Sequence, residues 1–475
     1  MDKLLPLSFT FLVFIFMVLK LWMRSKIKET PKNLPPAPWK LPIIGHLHLL
    51  IFALPHQRLA ELAKRHGSVM QLQLEIVLYN LSDIAFAPYG SCWRQLRKVC
   101  TLELLSVKRV QSFRSVREEQ VSSLIRSIFS KTGKEISLGE MLCNLSYNII
   151  LRTAFAGRCK KHEAFISFLK KFVEAMAGFN IADLFPSIKF LPDLSGMRAE
   201  LERFHHDIDT MLESIIQEHR DSSANPEDSV DVTEDLVDVL LNLQDHGGLE
   251  FPLTINNIKA VILDILLGGT ETSATLAEWA MSEMMKNPRI LGKAQAEVRE
   301  LYDKTGDVNE SNLHELKYLK LVIKETLRLH PPLPLLIPRE NSERCEINGY
   351  EIPAKTRVIV NAWAIGRDSN CWNEAERFYP ERFIDGSVDY KGANFEFIPF
   401  GAGRRICPGM SYGMAVVELS LAKLLSHFDW KLPNGMKNED LDMTEAFGAS
   451  VGRRSELYLI PTPHHLRMTV ERDGS

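Results

Sequence analysis

Pro399-Phe400-Gly401-Ala402-Gly403-Arg404-Arg405-Ile406-Cys407-Pro408-Gly409 is the stretch whose reading decides the fold. Gly401, Gly403 and Gly409 surround a single cysteine and permit unusual φ and close backbone approach. Such a loop holds a sulfur still and sets backbone donors near it, which is what a thiolate ligand needs. The apolar sequence after Cys407 reads as a helix packed beside the loop. A lone cysteine is usually a buried small hydrophobe. Against that reading stands the pattern Phe-x-x-Gly-x-Arg-x-Cys-x-Gly, which is long and specific.

Outward from this loop, most of the chain carries helical signals. Phe113 to Phe129, Leu201 to His219, Leu276 to Met285 and Leu313 to Leu329 mix charges with apolar residues at helical spacing. Thr254 to Asn287 predicts one long helix, capped by Thr254 and closed by Pro288, about 50 Å in length. Its middle holds Gly268-Gly269-Thr270-Glu271-Thr272. Each mid-helix glycine costs about 1 kcal/mol against alanine. Two explanations stay open here: a group lying against the helix backbone, or close helix–helix packing. Strand signals are few. Cys345 to Ile352, with Asn348-Gly349 between two short alternating runs, predicts a hairpin. Ser68 to Leu74 and Arg357 to Val360 read as strands, and the polar, acidic stretch Asp221 to Glu234 as a surface loop. The fold class is mainly α with a small β portion.

The chain has 475 residues, 45% of them hydrophobic, and a net charge of −3. That suffices for a large core and gives no pull toward nucleic acid. Seven scattered cysteines form no Cys-x-x-Cys pair, which argues against a zinc ribbon or a disulfide framework. Leu4 to Trp22 is apolar and just long enough to span a bilayer. Arg24, Lys26 and Lys28 follow it, so the positive-inside bias puts the remainder in the cytosol. A cleaved signal peptide is the competing reading, but the basic residues lie on the wrong flank for it. Residues 1–30 are therefore expected to be a membrane anchor with its basic flank, 31–45 a proline-rich hinge, and 46–475 the catalytic domain. A hinge follows from Pro31, Pro35, Pro36, Pro38 and Pro42, since proline fixes φ and removes a donor.

With these segments quoted, the chain resembles a cytochrome P-450 of the plant microsomal type that oxidises terpenoids, alkaloids and related metabolites. The likeness runs from the anchor to the C-terminal strands. It implies the cytochrome P-450 fold behind an N-terminal transmembrane helix, a haem b cofactor, and Cys407 as axial ligand to the haem iron. A thiolate ligand pushes electron density toward iron. By the same resemblance Thr272 and Glu271 are catalytic: Thr272 hydrogen-bonds oxygen and Glu271 relays protons to it through water. Trp93 and Arg97, which share one helix face, Arg339, and Arg405 serve the haem propionates, and Phe400 and Gly409 belong to the cofactor-binding loop. Glu325 and Arg328 share a helix face and would be worth only a few tenths of a kcal/mol as a surface pair. The resemblance makes them, with Arg382, a buried structural network. Arg94 and Lys98 then face outward, either toward an electron-donor protein or simply as a solvated basic face. Leu335, Leu336, Ile337 and Ala446 to Ala449 are implied to line an apolar pocket.

The implied activity inserts one oxygen atom from O₂ into an apolar small molecule, with electrons from NADPH through a reductase at the endoplasmic reticulum membrane. Membrane lipid, reductase and substrate are the expected partners. A haem-thiolate isomerase or dehydratase is the first alternative, and an inactive haem binder is the second. The stretch from Gly67 to Trp93 departs from the family by several dozen residues, with an apparent internal deletion near 74–76.

Overall fold

The computed structural model describes residues 33–38, 54–70, 84–156, 162–177, 197–224, 234–446, 448 and 450–464. The expected anchor, most of the hinge and the shortened stretch at 74–76 lie outside them. Among the described residues the helices are α1 (Pro55–His66), α2 (Ser91–Val99), α3 (Val107–Ser112), α4 (Arg114–Phe129), α5 (Leu138–Phe155), α6 (His162–Ala177) and α7 (Met197–Ala224). The series continues with α8 (Leu236–His246), α9 (Ile255–Lys286), α10 (Pro288–Thr305), α11 (Lys317–Leu329), α12 (Ala362–Ile365) and α13 (Met410–His427).

Helix α9 organises the larger of two compact units. Thr254 starts it with a reciprocal cap: its hydroxyl accepts from the Asn257 N–H, and the Asn257 side chain accepts from the Thr254 N–H. Pro288 occupies the first turn of the next helix, where its missing N–H costs nothing. Ile258, Val261, Ile262, Ile265 and Leu266 bury one side of α9, and Trp279, Ala280, Met281 and Met284 bury the far end. The helix packs most extensively on α5 and next on α13, so it runs through the core rather than along it. It is long and apolar enough to cross a membrane by composition, but much of it is buried within the protein. The expected end-to-end helix is thus observed, and it continues unbroken through both glycines.

The β portion is small, as expected. In the larger unit β1 (Ile136–Ser137), β7 (Tyr458–Pro463) and β6 (Phe428–Lys431) form one antiparallel sheet in the order β1-β7-β6. The smaller unit takes in the described residues of Met1–Trp39 and Leu62–Leu72, together with Arg339–Val358. It holds the hairpin of β3 (Cys345–Ile347) and β4 (Tyr350–Ile352), with Cys345 opposite Ile352. Asn348 at φ 51 and Gly349 at φ 79 make the left-handed turn that the Asn-Gly pair predicts. Beside it β2 (Arg339–Glu340) pairs with β5 (Arg357–Val358).

Several expectations need correction. Ser68 and Val69 form a bend and Met70 is irregular, so none of them is strand, and Gln71 to Leu74 lie outside the described residues. The strand from Arg357 ends at Val358, where its short partner β2 runs out of residues to pair. Asp221 to Ala224 continue α7, because no proline or glycine stops the helix there. Leu313 to Glu315 form a separate 3₁₀ turn before α11.

Candidate active site

The cysteine loop is shaped by its own backbone. Cys407 N–H donates to Phe400 O at 2.9 Å, Gly401 N–H to Ile398 O at 2.9 Å, and Ile406 N–H to Gly403 O at 3.1 Å. Gly401 at φ 72 and Gly403 at φ 71 adopt conformations that a side chain resists. Gly409 does not: its φ of −88 is ordinary, so the expectation of unusual φ there fails. A Cβ at Gly409 would stand 4.0 Å from Cys407 Sγ, so this glycine borders the sulfur.

Cys407 keeps an accessible face, whereas Cys100 is sealed in the core. Burial pushes both thiols up and the Arg97 cation pulls both back, but only at Cys407 do backbone N–H groups, those of Gly409 and Met410, add to the pull toward the thiolate. Cys100 is therefore the buried small hydrophobe, and Cys407 is the sulfur equipped as a ligand.

The predicted cationic residues gather at this loop. Arg97 donates to Ile406 O, next to the cysteine. Arg405 lies over the Trp93 ring at 4.4 Å and donates to Ala85 O at 3.3 Å and Ala87 O at 2.5 Å. Trp93 is buried and donates from Nε1 to Ile84 O at 3.0 Å. Phe400 packs on Tyr390 with ring centroids 5.2 Å apart. Arg94 and Lys98 are exposed. Arg339 belongs to the smaller unit, where it opens β2 opposite Val358.

Glu325, Arg328 and Arg382 are brought together. Glu325 and Arg328 are wholly buried, and Arg328 binds Glu325 through Nε at 2.7 Å and Nη2 at 2.8 Å. Arg382 Nε reaches Glu325 at 3.0 Å, and Tyr379 N–H reaches the same carboxylate at 2.7 Å. Arg328 also donates to the carbonyls of Gly366, Ala375 and Arg377. Both carboxylate oxygens and every guanidinium nitrogen of Arg328 have partners, which is what makes a buried ion pair tolerable.

On α9 each of the two glycines takes one of the two open explanations. A Cβ at Gly269 would come within 2.7 Å of Ile150 on α5, so Gly269 is a packing glycine. Gly268 is exposed and faces open space. Thr272 donates its hydroxyl to Gly268 O at 2.7 Å, so it must turn away before it can donate outward. Glu271 is half-buried and close enough to Cys143 to help burial raise that thiol to about 11. A separate pocket of about 100 Å³ is lined by residues that include His56, Leu335, Leu336, Gly448 and Val451. Leu336 sits there at φ 52, a strained value for a bulky residue. Ile337 and Ala446 are not among its lining residues, and Phe447 and Ala449 lie outside the described residues.

The family model described as Cytochrome P450 matches residues 75–460. The chain belongs to the cytochrome P450 family. Desmethyl-deoxy-podophyllotoxin synthase of Sinopodophyllum hexandrum is 51% identical over 498 positions, covering 97% of each chain. Premnaspirodiene oxygenase of Hyoscyamus muticus is 48% identical, with 96% of this chain and 97% of that one covered. Tabersonine 6,7-epoxidase isoform 1 of Catharanthus roseus is 49% identical, with the same coverage. A solved zebra fish cytochrome P450 with abiraterone shares the fold at TM-score 0.71 and 22% identity, over 87% of this chain and 99% of that one. This cytochrome P450 is accordingly an oxidoreductase, a haem-iron monooxygenase of secondary metabolism. The residues fit the haem: a half-buried cysteine with backbone donors, two arginines and an indole beside it, and open space at Gly268.

Two features of this P450 escaped the sequence reading. Asp264 accepts from the Ile84 N–H at 2.6 Å. Its signal was visible, since a lone carboxylate in the run Ala260-Val-Ile-Leu-Asp-Ile-Leu-Leu267 requires a partner. Glu445 accepts from His56 at 2.8 Å, Gln57 at 2.7 Å and Trp363 at 3.0 Å. Its partners are scattered along the chain, so no spacing revealed it.

Proposed function

We propose that Cys407 ligates the haem iron and that this P450 oxidises an apolar, terpenoid-like plant metabolite. The observation that carries the reading is the sulfur of Cys407, enclosed by the Gly401–Gly409 loop with donors from Gly409 and Met410. Bound there, haem supplies the capacity to activate O₂ and transfer one oxygen atom.

The protein's part is binding, orientation and proton supply. Trp93, Arg97 and Arg405 would hold the propionates, while Phe400 and Gly409 shape the loop. Arg97 and Arg405 would keep their carbonyl acceptors and offer remaining guanidinium N–H donors, five on each side chain in all, to carboxylates. Glu325, Arg328 and Arg382 keep the ground behind the loop fixed. Thr272 Oγ1 and the Glu271 carboxylate pass protons along α9, the hydroxyl swinging from Gly268 O to do so. Leu335, Leu336 and Gly448 offer an apolar wall for substrate. The relatives include an oxygenase and an epoxidase, which supports a metabolite substrate.

The chain carries residues 1–30 as a single-pass anchor in the endoplasmic reticulum membrane, 31–45 as a hinge, and 46–475 as the catalytic domain facing the cytosol. Electrons come from NADPH through a reductase. The alignment of 498 positions exceeds the 475 residues of the chain, and the family match starts at residue 75; both support a shortening near 74–76.

The test uses Thr272→Ala in membranes reconstituted with reductase. Haem content should be retained, while product per NADPH falls and hydrogen peroxide release rises. Unchanged coupling removes Thr272 and Glu271 from proton supply. Absence of any oxygenated product from a terpenoid panel with the parent chain removes the substrate class.

A further inference from the structure

Ile84 to Ala87 form a strap tied to its neighbours by backbone hydrogen bonds, with the Ile84 side chain buried in the core. Asp264 accepts from Ile84 N–H at 2.6 Å, Trp93 donates to Ile84 O at 3.0 Å, and Arg405 donates to Ala85 O and Ala87 O. Arg405 stands two residues before Cys407, and Asp264 stands one helical turn before Gly268. The strap therefore joins the cysteine loop to the central helix. Residues at i and i+4 share a helix face, about 6 Å apart along the axis. So the strap flanks the same face of α9 on which Gly268 looks into open space.

The side-chain bonds differ in kind. Trp93 and Arg405 hold carbonyl oxygens, which have a second lone pair to spare. Asp264 is the partner that the structure gives to the Ile84 N–H, a donor on a buried residue. A carboxylate acceptor makes this tie charge-assisted, as the guanidinium donor does for the Arg405 ties on the other side of the strap.

We infer that Asp264 is a positioning residue for substrate: its carboxylate latches the strap Ile84–Ala87 beside the open face of α9 and so sets the width of the substrate space. This rests on the haem-thiolate reading above, while hydrogen exchange over the strap reads the latch independently of it. Without the latch, the strap stays attached to the cysteine loop through Arg405 and swings from α9. A bulky ligand loses a wall, whereas a small ligand bound beside the haem does not.

The experiment compares the haem-loaded full chain with Asp264→Ala and Asp264→Asn, by hydrogen exchange and by spectral titration with imidazole and with clotrimazole. Asp264→Ala should speed exchange of the 84–90 amides about tenfold with the rest of the chain unchanged. Its clotrimazole Kd should weaken about tenfold while that of imidazole stays within about twofold. Asp264→Asn keeps the shape and a neutral acceptor, so it should fold and show the same pattern at about two- to fivefold. Parent-like exchange over 84–90 in both variants would overturn the latch. So would exchange that rises throughout the chain, with both azoles weakened alike. Loss of the thiolate-type spectrum in the parent chain would instead overturn the haem reading.

Discussion

The buried network around Glu325 and the open face of the central helix solve opposite problems. Around Glu325 both carboxylate oxygens have partners, and three residues, Arg328, Tyr379 and Arg382, share one buried carboxylate. Around Gly268 there is unfilled space, a hydroxyl turned onto its own helix, and a glycine with no packing duty. The first region suits a ligand whose position must not vary. The second suits a reaction that must admit a guest and move protons past it. Rigidity and room are built within one fold by assigning ion networks to one side and glycine to the other.

Breaking the closed side should have the largest effect. Glu325→Ala leaves Arg328 buried without its counter-charge, a change that costs roughly 3–5 kcal/mol. Haem-loaded yield should collapse, and any protein recovered should unfold at much lower urea than the parent. If Glu325→Ala matches the parent in both, the network is decorative.

Acid should act on the same side. His427 ends α13, the helix that follows Cys407, and packs edge-on against Phe129 and Tyr302. Burial first, then nearby Lys423, lower its pKa from 6.5 to about 4. The folded state therefore takes up this proton later than the unfolded state. Its contribution is fully present above about pH 6.5 and is lost as pH falls toward about 4, a loss of up to roughly 3 kcal/mol. His427→Phe should flatten the urea midpoint against pH across that window. An undiminished slope in the variant assigns the acid sensitivity elsewhere.

The adjacent glycines sharpen the contrast at smaller cost. Gly269→Ala forces Ile150 to move and should cost about 1–2 kcal/mol, partly offset by helix propensity. Gly268→Ala meets nothing and should gain up to about 1 kcal/mol while weakening binding of a bulky azole. Thermal midpoints and azole titrations separate the two. Equal effects at both positions would erase the distinction between packing and open glycine.

Legibility in the sequence followed the range of each signal. The cap at Thr254, the Asn348-Gly349 turn and the helical periods depend on neighbours within a few residues, so they were readable. The Glu325–Arg328 pair was visible as spacing, but its burial and its union with Arg382 came through resemblance alone. Strand limits failed at Val358 because a partner's length decides them. Ser68 to Met70 failed for a related reason: alternation predicts a face, and the described structure has no partner there. Glu445 was illegible because its partners His56 and Trp363 are distant in sequence. Asp264 was legible as an anomaly, without any hint of where its partner lay.

The central claim is that Cys407, and not the buried Cys100, ligates the haem iron. The reduced carbon monoxide spectrum tests it on the parent chain, Cys407→Ser and Cys100→Ser side by side. The account predicts the thiolate-type band in the parent and in Cys100→Ser, and its disappearance in Cys407→Ser, because serine cannot supply a soft anionic sulfur. A Cys407→Ser protein that keeps the parent's band and activity would contradict it.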